Sequence, residues 1–195
     1  EHAGGYVGGA YDGDRMVGSC LAIVGRSQGA HGWHTHLRSH VAAALPGFAD
    51  RGIGTSLKLH QRAWALRHDI DRIVWTFDPL VRRNARLNLV KLGGVGVEYL
   101  VDFYGVMDDA LNAGDESDRI LLQWDLASSR VADALAGTAS PLSRDEWLAL
   151  GATERLVATD EGPRLHDTES PVILVAVPDD IVDVGSGTSY AVATT

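Results

Sequence analysis

Residues 1–126 read as a mixed α/β sheet with helices packed on it, and three observations carry that reading. An Asp12-Gly13-Asp14 turn separates two β-leaning segments. An amphipathic stretch beginning at Ile53 opens on two glycines. A compact strand pattern follows it and stops at Asp78-Pro79. The implied order, strands first and then helices alternating with strands, is that of a sheet carrying helices on its surface.

Each element has its own signal. Residues 6–11 and 15–24 form a hairpin, because Asp-Gly tolerates the positive φ of a tight turn. Residues 25–33 are polar and glycine-bearing and read as a connection, and residues 34–45 as a strand closed by Pro46-Gly47. Over residues 53–67, Ile53, Leu57 and Trp64 recur on one stripe with Ala63 and Leu66 beside it, while Lys58, Gln61 and Arg62 fall elsewhere, which predicts a helix. Residues 70–77 are a strand, stopped because proline removes a ladder donor. Residues 81–92 read as a second helix ended by Gly93-Gly94, and residues 97–104 and 120–126 as two more strands.

Beyond Leu126 the texture changes. Residues 128–136 suit a short helix, residues 137–166 are rich in turn formers and charges, and residues 172–177 are the one clear strand. The expected organisation is a domain over residues 1–126 and a C-terminal extension over residues 127–195.

Composition removes several functions. The 195 residues include 17 basic and 26 acidic side chains, a formal net charge of −9, which excludes a purely electrostatic nucleic-acid binder. With 45% apolar and 22% charged residues, a packed core is expected. The single cysteine, Cys20, cannot close an internal disulfide or build a cysteine zinc cluster. No apolar run approaches the roughly 20 residues that span a bilayer, and the opening residues lack a basic start. A cytoplasmic location without membrane or nucleic-acid partners is therefore expected.

Gly52-Ile53-Gly54-Thr55 stands between a strand and a long helix, where consecutive backbone N–H groups converge and attract phosphate. Taken alone, the loop is equally a glycine turn with no ligand. Gly47 and Gly52 have Walker spacing, but Ile53 follows where a lysine is required, which argues against a nucleoside triphosphatase. No G-x-G-x-x-G occurs at this junction either. A pyrophosphate held by main-chain N–H groups remains.

These residues resemble the GNAT superfamily of acyl-CoA-dependent N-acetyltransferases, whose signature is a strand, a proline-bearing bend and a Q/R-x-x-G-x-G/A loop opening a helix. Here that stretch is Ala-Leu-Pro-Gly-Phe-Ala-Asp-Arg-Gly-Ile-Gly-Thr-Ser-Leu, residues 44–57, with Ala49 at the usual Gln/Arg position. Residues 84–93, Asn-Ala-Arg-Leu-Asn-Leu-Val-Lys-Leu-Gly, look like the family's second cofactor helix. Leu57-Lys58 with Gln61-Arg62, Trp75 to Leu80, Tyr104-Gly105 and Ser117-Asp118-Arg119 look like a poorly characterised bacterial branch of predicted acetyltransferases. The likeness spans about residues 5–126. It implies a mostly antiparallel mixed sheet, and one strand and two helices ahead of the hairpin that this sequence lacks, so residues upstream of Glu1 are expected.

The resemblance further implies that Ala44 and Leu45 offer main-chain groups to the pantetheine arm, that Arg51, Gly52, Ile53, Gly54 and Thr55 cradle the pyrophosphate, and that Asn84 hydrogen-bonds near the thioester. Acetyl-CoA, or another acyl-CoA, is the implied co-substrate, with no metal. Leu89 falls where many members carry a tyrosine that protonates the departing thiolate. Tyr99 and Tyr104 are the substitutes considered, beside water or the acceptor itself.

His40, on the strand leading into the bend, is the candidate proton acceptor, since histidine titrates in the useful range; the alternative is a hydrogen-bonded core histidine. His34, His36 and His40 share strand parity, with His31 close by, a set of imidazoles that suits zinc, but alternation is satisfied by any strand facing a polar cleft. Asp115, Glu116 and Asp118 would attract a cationic amine or form a solvated turn. Asp78 reads as a cap for the second helix. The expected function is acetyl transfer to a small-molecule amine by direct attack, since Cys20 has no evident histidine partner; the alternative is a non-catalytic acyl-CoA-binding module. Monomer and homodimer are both left open.

Overall fold

The computed structural model describes residues 4–29, 32–48, 51–105, 117–178 and 188–194. It divides into two compact units, Glu1–Asp78 with Arg86–Ala139, and Pro79–Ala85 with Ser140–Thr195.

The first unit begins with β1 (Tyr6–Asp12) and β2 (Arg15–Gly29), joined at Gly13, whose φ of 59° is the positive value the turn requires. β3 (Gly32–Ala44) returns along β2 over its whole length, from the Gly29–Gly32 pair to Gly18–Ala44. The stretch expected as a connection is therefore strand: Gly25, Arg26, Ser27 and Gln28 face His36, Thr35, His34 and Trp33. The hairpin runs out past the core with both faces wet, so the apolar alternation that marks a half-buried strand is missing there.

α1 (Ile53–Arg67) connects β3 to the parallel β4 (Arg72–Phe77). Next in the chain comes α2 (Arg82–Ala85), which belongs to the second unit, and then in the first a π-helix over Arg86–Lys91, β5 (Val95–Leu100), β6 (Arg119–Asp125) and α3 (Ser129–Ala136). The sheet order is β1-β2-β3-β4-β6-β5, antiparallel except for β3 and β4, so the expected mixed, mostly antiparallel sheet with helices is what forms. The second helix, expected over residues 81–92, is helical from Arg82 to Lys91, but its later part is π-helix: Leu92 N–H bonds the carbonyl of Leu87, five residues back, at 2.9 Å.

Leu37, Ile73, Leu122 and Trp124 are fully buried in the sheet, and Trp75 meets Trp124 edge-on at 5.9 Å. Trp124 satisfies its indole by donating to the Leu92 carbonyl at 2.6 Å. Arg62 on α1 donates twice to the Leu126 carbonyl, at 3.1 and 2.7 Å, tying the helix to the end of β6. The first unit continues past Leu126 because α3 belongs to it: Val131 is 1% exposed, and Arg130 Nε donates to the Gly93 carbonyl.

The interior face of α1 departs from the expected stripe. Its buried residues are Leu57, Lys58, Gln61 and Ala65, so two polar side chains point into the core while Leu59 and Leu66 are exposed.

The second unit holds α4 (Arg144–Ala149), β7 (Thr153–Thr159), β8 (Gly162–Leu165), β9 (Val172–Pro178) and β10 (Thr188–Thr194), in sheet order β10-β9-β7-β8. Only β9 was legible in advance. β7 and β8 pair around a turn closed by Gly162 at a φ of 111°, and their short, polar sequences carry little apolar alternation. No helix among the described residues is long and apolar enough to cross a membrane.

Candidate functional site

The site begins where two strands part. β3 and β4 pair only at Leu37–Ile73 and Arg38–Val74. Beyond that point β3 continues to Ala44 held on one side by β2, and β4 continues to Phe77 held by β6. A β-bulge sets the divergence: Ala22 faces Ser39 and Leu21 faces Val41, which leaves His40 as the extra, exposed residue. An extra residue bends its strand and increases the local twist.

The free edge of β3 has a defined polarity. Leu45 N–H donates to the Val17 carbonyl at 2.9 Å, which makes Gly18–Ala44 a non-hydrogen-bonded pair. Ala44, and two residues earlier Ala42, therefore turn their N–H and C=O groups away from β2 toward the open edge. Leu45 is engaged on both sides, since its carbonyl accepts from Phe48 N–H at 3.0 Å. Of the two residues expected to serve the pantetheine arm, Ala44 turns its peptide groups to the open edge, as Ala42 does, while those of Leu45 bond to Val17 and Phe48.

The start of α1 stands at the outer end of this edge. Gly52 is its N-cap, in the left-handed conformation at φ 77°, and brings no side chain to cap the helix. The first helical bond is Ser56 N–H to the Gly52 carbonyl, so the N–H groups of Ile53, Gly54 and Thr55 have no intrahelical acceptor. No acidic residue occupies the first turn. Gly18 on β2 makes the seat for this helix end, because a Cβ there would lie 2.7 Å from Ile53 Cγ2. Arg51 lies 3.6 Å from Asp12 and over the Phe48 ring at 4.8 Å, an exposed arrangement that holds it only weakly.

Comparison with known proteins gives the fold a name. No family model matches the sequence, and no curated protein matches it. Among solved structures, an IAA acetyltransferase from Bacillus cereus is 16% identical with a TM-score of 0.52, covering 62% of this chain and 77% of its own. A Bacillus subtilis acetyltransferase in complex with CoA is 20% identical with a TM-score of 0.51, covering 62% and 76%. A GNAT family acetyltransferase from Elizabethkingia anophelis with acetyl-CoA bound is 17% identical with a TM-score of 0.52, again covering 62% and 76%. This chain has the GNAT fold.

The other expected residues stand on other elements. Tyr104 puts its hydroxyl 3.5 Å from Thr76 Oγ1, on the arm of β4 past the parting, with the Arg119 guanidinium over its ring. Tyr99 stands on β5, two strands from β4, and its hydroxyl donates to Asp118 at 2.6 Å. That bond, with one from Asp102 N–H, holds the Asp118 carboxyl below the usual carboxylate range. Asn84 stands on α2, in the second unit. Asp78 lies 3.9 Å from Arg119, while α2 opens only at Arg82. Ala49, His31, Asp115 and Glu116 lie outside the described residues.

The strand histidines find separate partners. His34 Nε2 lies 3.3 Å from Asp71, without hydrogen-bond geometry, and His36 Nδ1 is 3.4 Å from Ser27 Oγ. Partial burial, with the neighbouring charge of His34, keeps the His36 ring below the usual imidazole range. Among the described residues no three His, Cys, Asp or Glu side chains gather as a metal site would require.

Proposed function

We propose that this protein is an acyl-CoA-dependent N-acyltransferase that carries acetyl from acetyl-CoA to an amine of a small molecule by direct attack on the thioester. The observation that carries the reading is the parting of β3 and β4 beside a helix start whose first amides have no acceptor within the helix. The N–H groups of Ile53, Gly54 and Thr55 suit a diphosphate, with the positive end of the α1 dipole adding to them. Gly52 allows close approach, and Arg51 can turn from Asp12 to the same anion. Ala42 and Ala44 pair their outward peptide groups with the amides of the pantetheine arm, as an edge strand pairs with an added one. The bound arm supplies an activated acyl carbon at the inner end of the cleft.

His40 takes the proton released by the acceptor nitrogen, being exposed at the bulge on the arm of β3. Cys20 does not serve as a nucleophile: it is buried, and its Sγ donates to Tyr6 Oη at 3.6 Å. Direct attack follows. The two solved structures with CoA or acetyl-CoA on the same fold support the choice of co-substrate.

The first test is thermal unfolding with acetyl-CoA and longer acyl-CoAs. Ligand at 100 times its dissociation constant adds about 2.7 kcal/mol of stability, and no shift with any of them overturns the proposal. Thioester consumption with a panel of amines then separates catalysis from binding. A His40→Ala variant is expected to keep the shift and lose on the order of 10²-fold or more in turnover. One observation favours a second reading, a non-catalytic acyl-CoA-binding module: Leu89, at the position the family resemblance gives to a proton donor, has no proton to donate. Binding without consumption for every amine would favour the module.

A further inference from the structure

Lys58 is a core lysine, 5% exposed, on the inner face of α1. Its Nζ donates to Ser39 Oγ on β3 at 2.8 Å and lies over the Trp75 ring on β4, 3.6 Å from the centroid. Ser39 and Trp75 are the residues immediately past the last β3–β4 pair, Arg38–Val74. The ammonium therefore bridges the two strands where they separate. A third contact, to Gln61 Oε1, is long at 3.4 Å, and Gln61 Nε2, fully buried, finds no hydrogen-bond partner among the described residues. A buried amide donor without an acceptor costs roughly 1–3 kcal/mol. A lysine and an orphan donor side by side are a poor choice for a core and a suitable one for receiving a negative charge.

An acyl-pantetheine arm that enters beside α1 and pairs with Ala44 and Ala42 runs inward along β3. Ser39 is five residues from Ala44, about 16 Å at ~3.3 Å per residue, and the arm can go no further than the point where β3 and β4 close. Resting on the acyl-CoA reading above, we propose that Lys58 is the acid of this site, standing beside the thioester sulfur and protonating the thiolate as it leaves. The acceptor nitrogen bonds to the carbonyl carbon, and the carbon–sulfur bond breaks with its electron pair going to sulfur. Lys58 Nζ delivers a proton to that sulfur. The proton lost by the nitrogen passes to His40 and then to water, from which Lys58 is recharged.

The surroundings suit this task. Burial pushes the Lys58 ammonium down to about 7, with the nearby Cys20 opposing the shift. An acid in that range is close enough to a thiol, whose ordinary value is about 8.5, for the proton to be shared between nitrogen and sulfur and to pass to the sulfur as the carbon–sulfur bond breaks. The groups facing Lys58 are Cys20 from β2, Ser39 from β3, Trp75 from β4 and Gln61 from its own helix; Cys20 is in turn 3.6 Å from Tyr6 Oη of β1, which is 2.7 Å from His60 Nδ1. Burial holds the Tyr6 phenol well above its usual range, so it stays neutral.

The test is the titration of Lys58 by NMR in the intact wild-type protein, free, with CoA, and with desulfo-CoA, which lacks the thiol. CoA is expected to raise the lysine midpoint by at least about tenfold in proton affinity and to show the ultraviolet absorbance of a bound thiolate, since an opposite charge within ~4–6 Å shifts a group by 1–3 units. Desulfo-CoA is expected to do neither. Lys58→Met should still bind CoA, with no thiolate signal, and in turnover should lose the limb that titrates with the lysine. CoA bound with the Lys58 midpoint unmoved, or moved equally by desulfo-CoA, overturns this proposal and leaves the acyl-CoA reading standing. Absence of CoA binding by the wild type overturns both.

Discussion

A buried ammonium is costly, and Lys58 carries that cost in the resting protein. Its folded value near 7 lies below the ordinary 10.5. The unfolded chain therefore holds the proton over the interval between them, and stability rises with pH from about 7 to about 10.5. Below that interval both states are charged and the penalty is present in full; above it both are neutral. The Lys58→Met variant removes the penalty but strands Ser39 and Gln61. It is expected to be more stable than wild type at pH 6 by on the order of 1–3 kcal/mol, with the advantage shrinking by pH 10. Chemical denaturation at the two pH values reads it, and an equal difference at both would show that Lys58 is not buried as charge. In the sequence Lys58 and Gln61 look like solvent-facing polar residues, because the expected apolar stripe runs through Ile53, Leu57 and Trp64. The buried face shares Leu57 with that stripe but turns toward Ala65, and Lys58 and Gln61 fall between the two.

At the scale of elements, the first turn of α1 is the part that matters, and it can be made to show opposite effects on folding and on binding. Thr55→Glu puts a carboxylate on the positive end of the helix. The free protein should gain about 0.3–1 kcal/mol from the dipole, while affinity for acetyl-CoA falls at least about tenfold, since like charges now meet at the same amides. Thermal unfolding with and without ligand measures both signs at once, and unchanged affinity would move the diphosphate elsewhere. This element was legible in advance because its glycines, its apolar spacing and the proline bend before it are all local signals. The bulge at His40 and the outward peptide groups of Ala42 were not, because they arise from the register of β2 against β3. The π-helix over Arg86–Lys91 was equally hidden, since its residues are ordinary helix formers.

For the whole molecule, the expected division of labour is that co-substrate binding falls within residues 1–126 and that residues 140–195 take no part in it. α4 gives a clean perturbation of the latter: Ser143 accepts from Glu146 N–H while its own N–H donates to Glu146 Oε2 at 2.7 Å, a complete capping box. Ser143→Ala is expected to cost the second unit ~1 kcal/mol by hydrogen exchange and to leave acetyl-CoA affinity unchanged. A parallel loss of affinity would mean that binding is shared. The first unit was readable as a sheet with helices because its strands are long and apolar. Most of the second was not, since short strands bounded by charged turns carry too few residues for a period to show.

The central claim is that the peptide amides at the start of α1, and the parted strands β3 and β4, hold an acyl-CoA. A crystal structure of the complex with acetyl-CoA tests it most directly. The diphosphate is expected within hydrogen-bond distance of the Ile53, Gly54 and Thr55 amides, with the pantetheine arm against Ala42 and Ala44 and the sulfur near Lys58. A diphosphate bound elsewhere on the molecule would contradict the account.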